Sequence, residues 1–224
     1  ENHYHFFRLE QAFLEGPSCY ATVLDQFWAQ GHIRFFPGAF FSSLEIKREL
    51  EKTYPVSVSY AYLPWRSCVV RVKPLEAFIQ IYWNDVLWNI AKEGRAWKFS
   101  QENATESLSL PRIIWGEGLN PPIAIHGPCE EKQRVWNVLA PLDRIERYAQ
   151  ALLKSDLFRK APAFTLQKKG ISFQVLLELE NTLIVLDGEK PQSCANVDKA
   201  IEMLLKKVEK PRKIRIDATY PDKI

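Results

Sequence analysis

Between Tyr54 and Trp83 apolar and polar positions alternate. Val56, Val58, Tyr60 and Tyr62 are separated by Ser57, Ser59 and Ala61, and Cys68, Val70 and Val72 by Val69 and Arg71. A period of two puts successive side chains on opposite faces of a strand, and β-branched and aromatic residues suit a half-buried pleated surface. Leu63-Pro64-Trp65-Arg66 interrupts the run, Lys73-Pro74 ends the second strand, and a third covers Ala77 to Trp83. Short links between successive strands predict an antiparallel sheet. One face of it has to be covered, and two helices upstream are expected to do so.

The first of these is predicted over Ser18 to Gln30, where Tyr20, Val23, Leu24, Phe27 and Trp28 form one apolar stripe and Gly31 stands at the C′ position. The second is expected to start at Ser42. Ser42 and Glu45 have the spacing of a capping box, Phe41 and Ile46 that of a hydrophobic staple, and the pattern runs to about Thr53. Phe6 to Leu14 reads as a strand that ends before Gly16-Pro17.

Beyond Trp83, Asn84-Asp85 and Lys92-Glu93-Gly94 predict turns around strands over Val86–Ile90 and Arg95–Phe99. Residues 100–109 are polar and are taken as a boundary between domains at 1–100 and 110–224. Leu110 to Trp115 is a short apolar strand. Val135, Val138, Leu142, Ile145, Ala149 and Leu152 then follow helical spacing, and Pro141 among them predicts either a kink or a new helix starting there. Next come strands over Ala163–Gln167, Ile171–Leu179 and Thr182–Leu186, the first two joined by a Lys168-Lys169-Gly170 turn. An amphipathic helix follows through Val197, Ala200, Ile201, Leu204, Leu205 and Val208, then a last strand over Lys213–Thr219. The fold class is α+β: a strand-helix-helix-strands module, then a mostly antiparallel β domain with flanking helices.

Composition narrows the function. The chain has 224 residues, is 46% hydrophobic and carries a formal net charge of +3. That charge is too small for the concentrated basic face of a nucleic-acid binder. Cys19, Cys68, Cys129 and Cys194 are far apart and form no CxxC pair, and His3, His5, His32 and His126 lie in no recognisable catalytic or zinc motif. The cysteines read as small buried hydrophobes, and one long-range disulfide stays open as the alternative for an oxidising compartment. No metal, no cofactor and no catalytic activity are expected. The chain begins at Glu1 and its only methionine is Met203, so a signal or membrane anchor is expected upstream.

Several local signatures, in order, are similar to those of one family. They are Gly16 after the first strand, Ser42 to Glu51 leading into Tyr54-Pro55, and Leu63-Pro64-Trp65 before the Cys68–Val72 strand. Trp88-Asn89-Ile90-Ala91-Lys92-Glu93-Gly94-Arg95, Leu110-Pro111-Arg112-Ile113 and the tail Lys213-Ile214-Arg215-Ile216-Asp217-Ala218-Thr219-Tyr220-Pro221-Asp222 complete the set. Together they resemble the FtsQ/DivIB family of bacterial cell-division proteins, with a POTRA-type module at 1–100 and the family's β domain at 110–224. Thr219 stands where the family commonly has arginine.

The resemblance implies a single-pass protein of the cytoplasmic membrane, with this region on its outer side and the anchor upstream of Glu1. It further implies a non-enzymatic scaffold that recruits FtsB/DivIC-like and FtsL-like division proteins at the septum, and others through the POTRA module. A terminal strand tends to lie at a sheet edge, where a partner segment can add. The candidate partner site is therefore Ile214, Arg215, Ile216, Ala218, Tyr220 and Lys223, with Lys168 and Lys169 at the family's basic position and Tyr220 at its contact tyrosine. Two other readings stay open: a POTRA-type adaptor in polypeptide transport or envelope assembly, and a peptidoglycan-acting enzyme.

Overall fold

The alternation over 56–74 builds a hairpin. In a computed structural model, which describes residues 11–21, 25, 38–63, 67–100, 110–125, 134–154, 163–170, 172–179, 182–188 and 214–219, β2 (Val56–Leu63) pairs antiparallel with β3 (Ser67–Pro74). The strand β1 (Gln11–Glu15) lies parallel on the other side of β3, giving a three-stranded sheet in the order β1-β3-β2. Helix α1 (Gly38–Thr53) covers one face. Ile46 and Leu50, four residues apart on α1, pack into a core with Val56, Val58, Cys68, Val70 and Val72. Each large aliphatic side chain buried there contributes about 1.5–3 kcal/mol. Gly16, at φ 150°, passes so close to the Val72 carbonyl that a β-carbon would collide with it.

Two expectations change here. Helix α1 begins at Gly38, one turn before Ser42, so Ser42 lies inside the helix and does not cap it. The capping-box spacing recurs by chance within helices; which residue is the cap depends on where the chain enters. Of the helix expected over Ser18–Gln30, Ser18–Tyr20 form a 3-10 turn and Ala21 and Asp25 are helical; the rest lies outside the described residues.

The third strand, β4 (Ala77–Trp83), does not join this sheet. Chain contacts divide the protein into two units: Glu1–Leu75 with His126–Trp136, and Glu76–Ile125 with Asn137–Ile224. In the second unit β4 is followed by β5 (Val86–Ala91), β6 (Arg95–Lys98), β7 (Arg112–Trp115), β9 (Phe164–Lys169), β10 (Ser172–Leu179), β11 (Thr182–Asp187) and β12 (Ile214–Ala218). Their order across the sheet is β12-β11-β10-β9-β7-β4-β5-β6. A further short strand, β8 (Val135–Asn137), spans the division between the units.

The sheet is mixed. The hairpins β4-β5, β5-β6, β9-β10 and β10-β11 are antiparallel. Strand β7 is parallel to both β4 and β9, and β12 is parallel to β11. Asn84 and Asp85 both take positive φ, 49° and 57°, the left-handed pair that a two-residue hairpin turn requires. The sheet is therefore continuous on both sides of residues 100–109.

Ile79, Ile81, Trp88, Ile90, Ile113, Leu166, Val175, Leu177, Ile184 and Leu186 are buried. Helix α2 (Leu142–Lys154) buries Ile145, Tyr148 and Ala149, with Tyr148 edge-on to Phe173. The helical spacing read from Val135 onward fails at its start, because Val135–Asn137 is a strand. Pro141 is the break: its carbonyl accepts from the Arg144 and Ile145 amides, and a new helix begins after it. The helix expected through Val197–Val208 lies outside the described residues. No helix among the described residues is long and apolar enough to cross a membrane.

Candidate partner-binding edge

Strand β12 stands last in its sheet. Ile214 to Ala218 pair in parallel with Thr182 to Leu186 of β11, and among the described residues no strand pairs with the other side. The alternation expected of this strand is present. Ala218 is buried and Ile216 half-buried, whereas Arg215 and Asp217 are exposed. Ile214 is in the strand. Each residue of a strand turns its amide to the side opposite its neighbour's, so half of the β12 backbone groups face β11 and half face outward.

The strand ends in a side-chain turn. The Thr219 amide and hydroxyl both donate to Asp217 Oδ1, at 3.1 and 2.7 Å. Such an aspartate turn replaces the next ladder bond and stops the strand. The hydroxyl bond holds the Asp217 carboxyl below the ordinary aspartate range against some desolvation; the Thr219 amide and the charges of Lys169 and Arg215 act in the same direction as the hydroxyl.

Lys169, the last residue of β9, and Thr219, just past β12, line one cleft, although β10 and β11 intervene in the sheet. The two ends share a cleft of about 190 Å³ lined by Lys169, Ser172, Phe173, Gln174, Asp187 and Thr219. Ser172 Oγ donates to the Lys169 carbonyl and Gln174 Nε2 to Gln167 Oε1, which ties the β9-β10 hairpin beside the cleft. The Gly188 amide donates to the Phe173 carbonyl. A β-carbon on Gly188 would collide with that carbonyl and with the Phe173 ring.

Lys168 and Lys169 were expected together in a turn. Both are in strand β9, and the turn residue is Gly170, at φ 62°. Neighbours on a strand point to opposite faces. Lys169 accordingly lines the cleft, while the Lys168 stem lies by Gly118. The registers across β9, β10, β11 and β12 thus put Lys169 on the sheet face of Arg215 and Asp217, and Lys168 on the opposite face with Ile216 and Ala218. Tyr220 and Lys223 lie outside the described residues. Asp217, Thr219, Asp187 and the Ser172–Gln174 run were not singled out from the sequence. Asp217-Ala218-Thr219 has the spacing of an aspartate turn and was legible as one; the others are linked only by topology.

Among the described residues no group of three or more His, Cys, Asp or Glu is placed to hold a metal ion. Cys68 is a free thiol in the core of the first unit, and burial pushes its pKa up to about 11, which keeps it from acting as a nucleophile at neutral pH. No family model matches the chain, and no curated protein matches it.

Proposed function

We propose that this chain is the extracytoplasmic part of an FtsQ/DivIB-like division scaffold and that it binds an extended segment of an FtsB/DivIC-like partner, held with an FtsL-like protein, along β12. In this reading the first unit is the POTRA-type module and offers a surface to other division proteins, and an anchor upstream of Glu1 holds the protein in the cytoplasmic membrane. The protein works by adding a partner strand and catalyses nothing.

The observation that carries the reading is the position of β12: a charged, alternating strand at the end of a sheet with its outward backbone groups unpaired among the described residues. Strand addition takes affinity from those backbone groups and specificity from the flanking side chains. Lys169, beside the strand's end, and Arg215, on the same sheet face near its start, favour an acidic partner segment, mainly through its rate of association. The three-stranded sheet in the order β1-β3-β2 under a helix supports the reading of the first unit.

The test uses two neighbouring substitutions, Arg215→Pro and Ile216→Pro. Because adjacent amides face opposite ways, one variant loses an amide paired with β11 and the other an outward amide. The variant that keeps its folded circular dichroism and its unfolding transition is expected to lose at least about tenfold in affinity for a soluble FtsB–FtsL-type complex. If it binds as tightly as the parent chain, the partner does not add to β12.

A further inference from the structure

Strand β2 also ends a sheet, and its sequence is hazardous there. The order β1-β3-β2 leaves one side of β2 without a strand among the described residues. Val56-Ser57-Val58-Ser59-Tyr60-Ala61-Tyr62-Leu63 contains no charged residue and no proline. Edge strands are commonly blunted by lysine, proline or a bulge. A run of six or more uncharged residues of high strand propensity, lacking proline, is instead the kind of segment that pairs with copies of itself.

The protection comes from outside the strand. Two amides on the same side of β2, at Val56 and Val58, are both occupied. Val56 N–H donates to the Tyr54 carbonyl at 2.8 Å, within the turn that enters the strand. Val58 N–H donates to Glu51 Oε1 at 2.9 Å, from the last turn of α1. The Glu51 side chain is only 11% exposed, with Lys47 Nζ 3.9 Å from the same oxygen. Its neighbour Leu50 is in the core, so the anchoring of α1 also fixes the reach of Glu51. A carboxylate folded against the outer side of an edge strand occupies the donor that an incoming strand would need and presents it with a desolvated charge.

We propose that Glu51 guards the β2 edge, keeping this strand from pairing with the β2 strand of a second copy of the chain. The guard is independent of partner binding at β12, which lies in the other unit.

The test compares Glu51→Leu, which keeps bulk and removes the acceptor, with Glu51→Asp, which keeps charge and shortens the reach, and Glu51→Gln, which keeps an acceptor in place. Amide hydrogen exchange and sedimentation velocity are measured on the 224-residue chain over about a hundredfold range of concentration. In Glu51→Leu and Glu51→Asp the Val58 amide is expected to exchange at least about tenfold faster at the lowest concentration, with Val70 unchanged. At high concentration both variants are expected to associate beyond the parent chain, with Glu51→Gln behaving as the parent. A Val58 amide that exchanges at the parent rate in a folded Glu51→Leu or Glu51→Asp chain overturns the proposal. So does faster exchange without added association. If Glu51→Leu fails to fold, Glu51→Asp alone decides between these outcomes.

Discussion

Strands β2 and β12 occupy equivalent positions, each at the end of its sheet, and their sequences differ in a telling way. Strand β12 alternates half-buried or buried residues with exposed Arg215 and Asp217, and it is closed at its end by its own Asp217–Thr219 turn. Strand β2 is longer, carries no charge, and has a helix carboxylate on its Val58 amide. A charged edge discourages indiscriminate pairing while leaving the backbone available to a matched partner. An uncharged edge does not discriminate, and has to be blocked locally. The two ends thus represent separate solutions to the hazard of an edge strand.

The comparison breaks most readily at Leu50. Leu50→Ala removes a fully buried side chain that pins α1 to β2, and is expected to cost about 2–5 kcal/mol in the first unit. Urea unfolding followed by probes in each unit measures it. The contrast between the edges holds if the second unit and partner binding at β12 are unchanged, and fails if both units lose stability together.

A smaller loss is expected from Gly188→Ala, beside the cleft. The new β-carbon would collide with the Phe173 carbonyl, so the end of β11 must shift at a cost of about 1–3 kcal/mol. Faster exchange of amides in β12 than in β3 checks that the damage stays at this end of the sheet. Cys68 reports on the other side of the comparison without altering stability. With Cys68 5% exposed and its pKa raised to about 11, the native thiol is expected to resist alkylation at pH 8 and to react only as the first unit opens. Peptide mapping of the labelled protein reads this residue separately from the other three cysteines, and rapid labelling under native conditions contradicts the burial.

The smallest effect concerns acid. The folded pKa of Asp217 is lowered, chiefly by the Thr219 hydroxyl. Its contribution is therefore complete above the ordinary aspartate value and is lost as pH falls through the lower folded value. From pH 8 to 5 the Thr219 amide is expected to exchange with no change beyond the intrinsic pH dependence, and below about pH 4 to lose protection. Asp217→Asn keeps an acceptor for the turn and is expected to remove the acid response while leaving β12 folded.

Local pattern was legible in the sequence and long-range pairing was not. The alternation of Val56 and Val58, and of Cys68, Val70 and Val72, marked β2, β3 and their inward faces, because burial writes itself into a period of two. The Asn84-Asp85 turn announced the hairpin of Ala77–Trp83 with β5, but the alternation in that strand carried no sign that it turns away from β3 to lie beside β7; that partner is set by residues far along the chain. At Val135 helical spacing arose by coincidence ahead of Pro141, and at Ser42 a capping pattern lay inside a helix that begins at Gly38. In the candidate site, Arg215, Ile216 and Ala218 could be placed from the tail alone. Separating Lys168 from Lys169 required knowing that β9 continues through both. Glu51 gave no signal at all, since its role depends on which side of β2 has no paired strand among the described residues.

The four residues of β7 have a consequence for how the second unit comes into being. On one side stand β4, β5 and β6, on the other β9, β10 and β11, each group joined by hairpins that contact close neighbours in sequence. Among the described residues only Arg112–Trp115 bridges them, by parallel pairing to β4 and β9. Hairpins close quickly, whereas parallel pairings wait for distant chain and a costly loop closure. As the chain emerges, the first half-sheet is therefore expected to form with β4 as a temporary edge, β7 to extend it, and the second half-sheet to dock along β7 before β12 adds in parallel to β11. The joining of the two half-sheets thus rests on a strand of four residues.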